Sequence, residues 1–247
     1  MLKTLEKIAK KAGDIILNYY DKMEIDINKK SDGSPVTKAD LGSEQLIVSQ
    51  LKKNFLYPIV TEETPVKYSE RKKWNKYWLV DPLDGTEDFI NKNDEFTVNI
   101  ALVENYRPIL GIVYAPALNL MYTGHINAGS KKNGIPIYNK SKRRNLIAAD
   151  SRQNSTTETK NFLSLNNISK ILKIGSSLKL CSLAEGLIDV YPRFNGTKEW
   201  DTAAAHIICK EAGCKILDIK TKKELVYNKE SIKNNFFIAS RNNLSFL

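Results

Sequence analysis

The sequence predicts an N-terminal half of the α+β class followed by a C-terminal half of the α/β class. Apolar residues recur at helical spacing over residues 2–19, which predicts a first helix with one face in the core. Strand signals dominate residues 56–139. From residue 146 onward predicted strands and helices alternate, a pattern typical of α/β folds.

In the first half, Thr37 and Asp40 have the spacing of a capping box before a predicted helix at 41–53. Residues 97–103 and 109–114 flank a polar turn and predict a β-hairpin. Strands at 120–123 and 132–137 are predicted to continue an antiparallel sheet, and the apolar run at 77–80 is also predicted to be a strand.

The second half begins after a change of composition at residues 140–145, which predicts a division into residues 1–144 and 145–247. Its predicted strands are 146–149, 170–174 and 187–191, and its predicted helices are 157–165, 177–185 and 201–212.

Composition indicates an ordinary globular protein, because 42% of the 247 residues are hydrophobic and 27% are charged. No apolar run approaches the ~20 residues of a transmembrane helix, and the acid-containing N-terminus does not resemble a signal peptide. We therefore expect a cytoplasmic protein, with peripheral attachment at the inner membrane face left open. Three cysteines and two histidines favour reduced core thiols over a zinc site.

The net charge of +10 comes from Lys and Arg residues that are scattered along the chain without a nucleic-acid-binding motif. We expect no specific nucleic-acid partner. A basic surface would still steer an anionic small molecule toward the protein.

The most informative segment is Asp81-Pro82-Leu83-Asp84-Gly85-Thr86, which follows the apolar run 77–80. Pro82 fixes its own φ and Gly85 permits a tight turn, so both carboxylates and the Leu83 carbonyl could face one point. Such hard oxygen ligands suit Mg²⁺. Taken alone, the segment is more typical of a structural turn.

Two further acidic segments favour a metal site over a structural turn. Glu62 and Glu63 follow a short apolar run at 57–60, where the alternative is a solvated acidic loop. Asp201 opens the predicted helix at 201–212, where the alternative is an N-cap.

Together the three acidic segments resemble the signatures of the lithium-sensitive, Mg²⁺-dependent phosphomonoesterase superfamily that includes the inositol monophosphatases, over nearly the whole chain. Other segments resemble its bacterial CysQ-type 3'(2'),5'-bisphosphate nucleotidases. These segments are residues 34–40, 94–102, 108–116, 174–179, 184–186 and 191–194.

The resemblance implies the layered αβαβα sandwich of the inositol monophosphatase and fructose-1,6-bisphosphatase type, with a metal site between the halves. It implies two or three Mg²⁺ ions as cofactor. One ion would be held by Glu62, Asp81 and the Leu83 carbonyl, and another by Asp81, Asp84 and Asp201.

By the same resemblance the catalytic residues are Asp40, Thr86 and Glu62, with Asp40 accepting the threonine proton so that Thr86 activates the attacking water. The amides of Gly85 and Thr86 would cradle the phosphate if a helix starts there. Leu83, Asp84 and Asp201 are also expected to border the substrate.

Substrate specificity is expected from the second half. Ser176, Ser177 and Lys179 are donors suited to a second, non-scissile phosphate, and Arg193 could pair with a phosphate bidentately. Tyr191 could line the base or the ribose. For this group of residues, the alternative is a capped helix with Lys179 and Arg193 merely solvated.

The chain also departs from the related pattern. Thr61 stands where Ser or Gly is usual, and Glu87-Asp88 replaces a common Lys-Glu pair, which removes a positive charge near the phosphate. Glu185 is a further candidate for contact with the sugar.

The resemblance implies hydrolysis of adenosine 3',5'-bisphosphate to AMP and phosphate, with 3'-phosphoadenylyl sulfate as a second candidate substrate. The alternatives are an inositol monophosphatase and a non-catalytic, basic RNA-binding protein. The oligomeric state is left open.

Overall fold

Two β-sheets with helices on their faces form the framework of the protein in a computed structural model that describes residues 1–21, 27–29, 35–152 and 154–246. The helices are α1 (Leu2–Tyr20), α2 (Lys38–Asn54), α3 (Tyr68–Arg71), α4 (Thr86–Ile90), α5 (Thr157–Leu165), α6 (Leu178–Ala184) and α7 (Glu199–Glu211). Ser34, the first residue of one motif singled out above, and most of the loop before it lie outside the described residues.

The strands in chain order are β1 (Ile27–Lys29), β2 (Pro35–Thr37), β3 (Ile59–Thr61), β4 (Lys76–Asp84), β5 (Thr97–Glu104), β6 (Arg107–Ala115), β7 (Leu120–His125), β8 (Gly129–Lys132), β9 (Ile135–Ile137), β10 (Ile147–Asp150), β11 (Lys170–Lys173), β12 (Val190–Arg193), β13 (Cys214–Asp218) and β14 (Phe237–Arg241).

The first large sheet has seven strands in the order β3-β4-β5-β6-β7-β8-β9, and the second has five in the order β11-β10-β12-β14-β13. The short β1 and β2 pair with each other. Helices α1 and α2 cover one face of the seven-stranded sheet, and α7 packs against its other face. With α5 packed on β12 and α6 on β12 and β14, the layers follow the predicted αβαβα order.

Helix α1 buries one apolar stripe, which includes Leu5, Ile8, Ala12 and Ile16. This confirms the sequence prediction. The stripe belongs to a core shared with α2 and the seven-stranded sheet. Helix α2 begins as predicted, because the Thr37 side chain and Asp40 form a capping box.

The predicted hairpin of β5 and β6 is confirmed, and its turn residues Asn105 and Tyr106 both have positive φ. The predicted strand at 132–137 is instead the end of β8, a turn and β9. Asn133 and Gly134 form that turn with positive φ at both positions, which suits a tight hairpin.

Helix α7 lies unusually close to the seven-stranded sheet, because two strand positions lack a side chain. A Cβ on Gly111 would stand 2.2 Å from the carbonyl oxygen of Ala204, and one on Gly124 would stand 2.8 Å from the Cα of Ile208. These two glycines set the position of α7 and therefore of Asp201 near its first turn.

The five-stranded sheet differs from the simple alternation expected for an α/β half. Strands β10, β11 and β12 are parallel, whereas β14 runs antiparallel between β12 and β13. The strand predicted at 187–191 lies at Val190–Arg193, because Gly186 turns the chain with positive φ and Leu187 is exposed.

Strands of the seven-stranded sheet all precede residue 138, and strands of the five-stranded sheet all follow residue 146. One buried cluster nevertheless includes residues of both sheets. The division into residues 1–144 and 145–247 therefore stays a prediction about organisation. Among the described residues, no helix combines the length and the apolar character needed to cross a lipid bilayer.

Candidate metal and phosphate site

The segment that the sequence singled out forms a bulged strand end followed directly by a helix. The register of β4 against β5 shifts between Asp81 and Asp84, and Asp81 Oδ1 accepts the Leu83 N–H at 3.1 Å. Gly85 adopts φ 87°, a conformation that favours glycine, and α4 starts at Thr86. The turn therefore directs several oxygen atoms from adjacent residues toward one end of the sheet.

Three carboxylates from distant segments meet at this turn. One oxygen each from Glu62, Asp81 and Asp201 lie within 4.8 Å of one another. Glu62 follows β3, which is parallel to β4, and Asp201 comes from α7. Lys198 Nζ stands 3.9 Å from Glu62 Oε1. A close set of hard oxygen donors fits Mg²⁺ by its chemistry.

Asp201 is the third residue of α7, where its carboxylate accepts the N–H of Lys198 at 2.8 Å. The helix begins two residues earlier than predicted, so Asp201 is not its N-cap residue. Burial, followed by the charges of Asp84 and Glu62, raises the pKa of Asp201 to about 8. Without a cation, burial and repulsion among the carboxylates favour the protonated form of Asp201.

Asp84 points toward the second half of the chain. Its Oδ2 accepts the N–H of Ser177 at 2.6 Å and the Ser177 hydroxyl at 2.8 Å. Burial raises the pKa of Asp84, and the charge of Lys179 opposes that rise. The same Ser177 hydroxyl also lies 2.9 Å from the Asp201 backbone carbonyl oxygen, a second acceptor for its proton. One serine therefore contacts two of the predicted metal ligands.

Asp40 and Thr86 lie next to each other, as the sequence analysis expected. Thr86 Oγ1 donates to Asp40 Oδ1 at 3.2 Å and lies 3.4 Å from the Leu83 carbonyl oxygen. The other Asp40 oxygen accepts the Thr37 backbone N–H at 2.7 Å. Asp40 is 1% exposed, so its carboxylate is oriented in a largely dry environment.

A cleft of about 250 Å³ opens beside these acids. Its lining combines residues of both halves, including the predicted Asp84, Gly85, Thr86, Ser176, Ser177, Lys179, Tyr191, Arg193 and Asp201, together with Glu62. Asp81, Leu83 and Asp40 are not among the lining residues and are buried behind it.

The cleft lining also carries cationic and hydroxyl groups. Lys179 is buried, its Nζ donates to the Ile174 carbonyl at 3.1 Å, and burial lowers its pKa to about 8. Within the described chain, the Ser176 hydroxyl and Arg193 Nε are buried without a hydrogen-bond partner. Both residues line the cleft, so a ligand with acceptor atoms bound there would give these donors partners.

Comparison with known proteins agrees with this geometry. A model of the inositol monophosphatase family matches residues 1–244. The chain belongs to the inositol monophosphatase family. It is 40% identical over 245 residues to 3'(2'),5'-bisphosphate nucleotidase CysQ of Escherichia coli K12, covering 97% of this chain and 99% of that protein. The predicted family is thus confirmed.

Solved structures confirm the family fold. CysQ from Bacteroides thetaiotaomicron, described as a bacterial member of the inositol monophosphatase family, superposes with a TM-score of 0.88 at 35% identity, covering 98% and 97% of the two chains. The inositol monophosphatase TM1415 of Thermotoga maritima superposes with a TM-score of 0.83 at 26% identity, covering 97% and 91%.

Several residues near this inositol monophosphatase-family site were not singled out individually by the sequence analysis. Asn99 Nδ2 donates to Ser177 Oγ at 2.8 Å, and Glu95 Oε2 accepts the Gly175 N–H at 2.7 Å. Both lie within the resembling run 94–102, which was the available signal. Lys198, before α7, was missed because a single lysine carries no spacing information.

The surroundings of four other residues noted in the sequence analysis are also defined. Glu185 contacts Tyr122 at 2.6 Å and Lys132 at 2.7 Å, and it is not among the cleft-lining residues. The Thr61 hydroxyl contacts Glu44 and accepts the Thr64 N–H, so it holds the turn that carries Glu62. Glu87 and Asp88 both line the cleft.

Proposed function

We propose that this chain hydrolyses adenosine 3',5'-bisphosphate to AMP and inorganic phosphate in a Mg²⁺-dependent reaction. The observation that carries the proposal is a cleft whose lining combines acidic and cationic side chains. Glu62, Asp84 and Asp201 line it together with the buried Lys179 and the partly buried Arg193. A substrate with two phosphates matches a cleft in which carboxylates can hold cations and basic side chains can pair with an anion. Relatives at 40% identity are named bisphosphate nucleotidases.

Glu62, Asp81 and Asp201 would hold Mg²⁺, with Asp84 and the Leu83 carbonyl completing the ligand set expected from the family. The donor set fits, because three carboxylate oxygens lie within 4.8 Å and the pKa of Asp201 is raised by burial and its acidic neighbours. When bound, such ions neutralise phosphate charge and favour the nucleophilic form of water.

The protein's own part in the proton transfer falls to Thr86 and Asp40. The attacking water gives a proton to Thr86 Oγ1 while the threonine proton moves to Asp40 Oδ1, which lies 3.2 Å away. The oxygen of the water bonds to phosphorus, and the bond from phosphorus to the ribose 3' oxygen breaks. The departing 3' oxygen takes a proton from a solvent water, and the proton that Asp40 releases neutralises the hydroxide left behind. Asp40 can act here because Thr37 fixes its other oxygen.

Binding of the second phosphate falls to Ser176, Lys179 and Arg193, whose polar atoms converge on the cleft. Tyr191 lies beside Lys179, with its ring centroid 5.7 Å from Nζ, and borders the space for the ribose or the base. 3'-Phosphoadenylyl sulfate carries the same 3' phosphate and is a second candidate substrate. A cytoplasmic location and the absence of a specific nucleic-acid partner belong to the same proposal.

The two alternatives are less well supported. An inositol monophosphate has only one phosphate, so it would leave the Lys179 and Arg193 side chains in the cleft without an anionic partner. A non-catalytic RNA-binding role gives no reason for three carboxylates within 4.8 Å of one another.

A phosphate-release screen tests the proposal. Purified protein is assayed with adenosine 3',5'-bisphosphate, 3'-phosphoadenylyl sulfate, inositol 1-phosphate and a dinucleotide, each with Mg²⁺ and with EDTA. We expect the highest kcat/KM for the adenosine bisphosphate, and no release with EDTA. A higher kcat/KM for inositol phosphate, or RNA binding without any phosphate release, would overturn it.

A further inference from the structure

The loop that presents Ser176 is fixed at both ends by carboxylates from the other half of the chain. Before it, Glu95 Oε2 accepts the Gly175 N–H at 2.7 Å. After it, Asp84 Oδ2 accepts the Ser177 N–H at 2.6 Å. The segment from Gly175 to Ser177 is therefore tied at two points to the ends of β4 and β5.

Ser176 has a backbone conformation that needs such support. Its φ is 44°, in the left-handed region that residues other than glycine rarely adopt. Such conformations persist only where the surrounding structure enforces them. Ser176 Oγ is also buried without a hydrogen-bond partner among the described residues. The two carboxylate contacts thus hold a donor ready for a ligand.

Close packing leaves the loop little freedom to move elsewhere. A Cβ on Gly175 would stand 2.8 Å from the Glu95 carbonyl oxygen and 2.5 Å from Asp88 Oδ2. A Cβ on Gly85 would meet the Ser176 Cβ at 3.2 Å. The position of the loop therefore depends directly on the segment that carries Glu95.

Glu95 itself is held in place. The same Oε2 contacts the Arg152 guanidinium, and the Glu95 backbone N–H donates to Asn93 Oδ1 at 3.1 Å. Its side chain is 24% exposed, so the Arg152 pair adds little stability by itself. The hydrogen bond to the buried Gly175 amide is the contact with structural consequence.

We propose that Glu95 is a positioning residue, which holds the Gly175 amide and so places Ser176 to receive the non-scissile phosphate of a bisphosphate substrate. The inference rests on the proposed bisphosphate nucleotidase activity. Glu95 is not among the residues that line the cleft, and it acts through the loop.

The sign of the effect separates positioning from simple electrostatics. Removing a negative charge near an anionic substrate favours binding by Coulomb's law and should lower KM. Loss of positioning should raise it. Glu95→Gln removes the charge, and Glu95→Asp keeps the charge but withdraws the carboxylate from Gly175.

The test compares KM and kcat of the wild type, Glu95→Gln and Glu95→Asp for adenosine 3',5'-bisphosphate and for adenosine 3'-monophosphate, which lacks the second phosphate. We expect both variants to raise KM for the bisphosphate about tenfold, with kcat and the monophosphate KM within about threefold of wild type. Glu104→Gln is the matched control, since Glu104 ends β5, the strand that follows Glu95, and forms an ion pair with Lys76. Glu104→Gln should leave KM and kcat unchanged for both substrates.

A double variant adds a second criterion. If Glu95 acts through Ser176, then Ser176→Ala should raise the bisphosphate KM in the wild type but add less than about twofold in Glu95→Gln. Unchanged or lowered KM, equal losses for both substrates, or additive effects would overturn the inference while the activity itself stands. A wild type without preference for the bisphosphate would instead overturn the proposed function, and the inference with it.

Discussion

The Thr86 hydroxyl donates to Asp40 Oδ1 at 3.2 Å, although the two residues are 46 positions apart. Asp40 uses its other oxygen to cap α2 through the Thr37 N–H. One carboxylate therefore fixes the start of a helix and also contacts the first residue of α4. Structural and chemical roles are combined in one side chain here, and neither excludes the other.

Removing this pair should lower turnover with little effect on substrate binding. We expect Thr86→Val and Asp40→Asn each to reduce kcat by about 10²–10⁴-fold, as is typical when proton transfer by a positioned side chain is lost. Because the two residues act as one unit, the kcat of the double variant should lie within about threefold of the kcat of the less active single variant. Steady-state kinetics at saturating Mg²⁺ measures this.

Thr123→Val is the matched control, because Thr123 is a buried threonine of the seven-stranded sheet and is not among the cleft-lining residues. The kcat of Thr123→Val should stay within about threefold of the wild-type value. Independent, multiplicative losses for Thr86→Val and Asp40→Asn would contradict a shared proton path.

A substitution at Asp81 should separate metal binding from folding. Asp81→Asn keeps an oxygen for the Leu83 N–H, which lies 3.1 Å from Asp81 Oδ1, and removes one charge from the acidic cluster. We expect turnover to fall by at least about 10³-fold, since a charge-stabilising element of the site is lost. The metal-free protein should be as stable as wild type or more so, because repulsion with Glu62 and Asp201 decreases.

Thermal unfolding with and without Mg²⁺ checks this second part. Wild type should gain stability with Mg²⁺ by mass action, and Asp81→Asn should lose most of that gain. Glu104→Gln, a carboxylate outside the cluster, should respond to Mg²⁺ like wild type. An undiminished Mg²⁺ effect in Asp81→Asn would remove Asp81 from the ligand set.

Local patterns in the sequence account for much of the first half. The helical apolar spacing of α1 and the turn residues of 81–86 are local patterns, so both features can be predicted from the sequence. The meeting of Glu62, Asp81 and Asp201 was predicted only through resemblance, because their convergence depends on how α7 packs on the sheet.

The second half shows where local patterns fail. Antiparallel β14 lies between β12 and β13, a placement that depends on pairing between distant segments rather than on the composition of 237–241. The role of Glu95 is hidden for the same reason. Nothing near residue 95 indicates that its carboxylate contacts the amide of Gly175.

Metal-free protein should lose stability as the pH rises toward 8. Burial and acidic neighbours raise the pKa of Asp201 to about 8 in the folded state, against 3.8 for an ordinary aspartate. Between these values the folded state binds more protons than the unfolded state, so the free energy of unfolding falls with increasing pH. Denaturant unfolding in EDTA at pH 5, 6, 7 and 8 should show the decline, and Asp201→Asn should flatten it.

Saturating Mg²⁺ should also flatten the same pH dependence, because a bound cation favours the deprotonated carboxylate. A wild-type profile in EDTA that rises from pH 5 to pH 8 would show that Asp201 is ionised throughout that range.

Substrate binding should weaken above pH 8 through Lys179. Burial lowers the pKa of Lys179 to about 8, so its ammonium loses its proton as the pH rises past that value. We expect KM for adenosine 3',5'-bisphosphate to rise between pH 8 and 9.5. Lys179→Arg should shift that rise to higher pH, because arginine stays protonated. A KM independent of pH in this range would place the substrate phosphate away from Lys179.

A methyl group at Gly111 should disturb the site from a distance. A Cβ there would lie 2.2 Å from the Ala204 carbonyl oxygen, so α7 must move away from the sheet. We expect Gly111→Ala to cost at least about 1–3 kcal/mol of unfolding free energy, the usual effect of overpacking, and to weaken Mg²⁺ binding because α7 carries Asp201. Gly196→Ala is the matched control, since no neighbouring atom of the described residues lies within 4 Å of its Cβ position. Equal urea midpoints for the two variants would show that α7 is not held in place by close contact with β6.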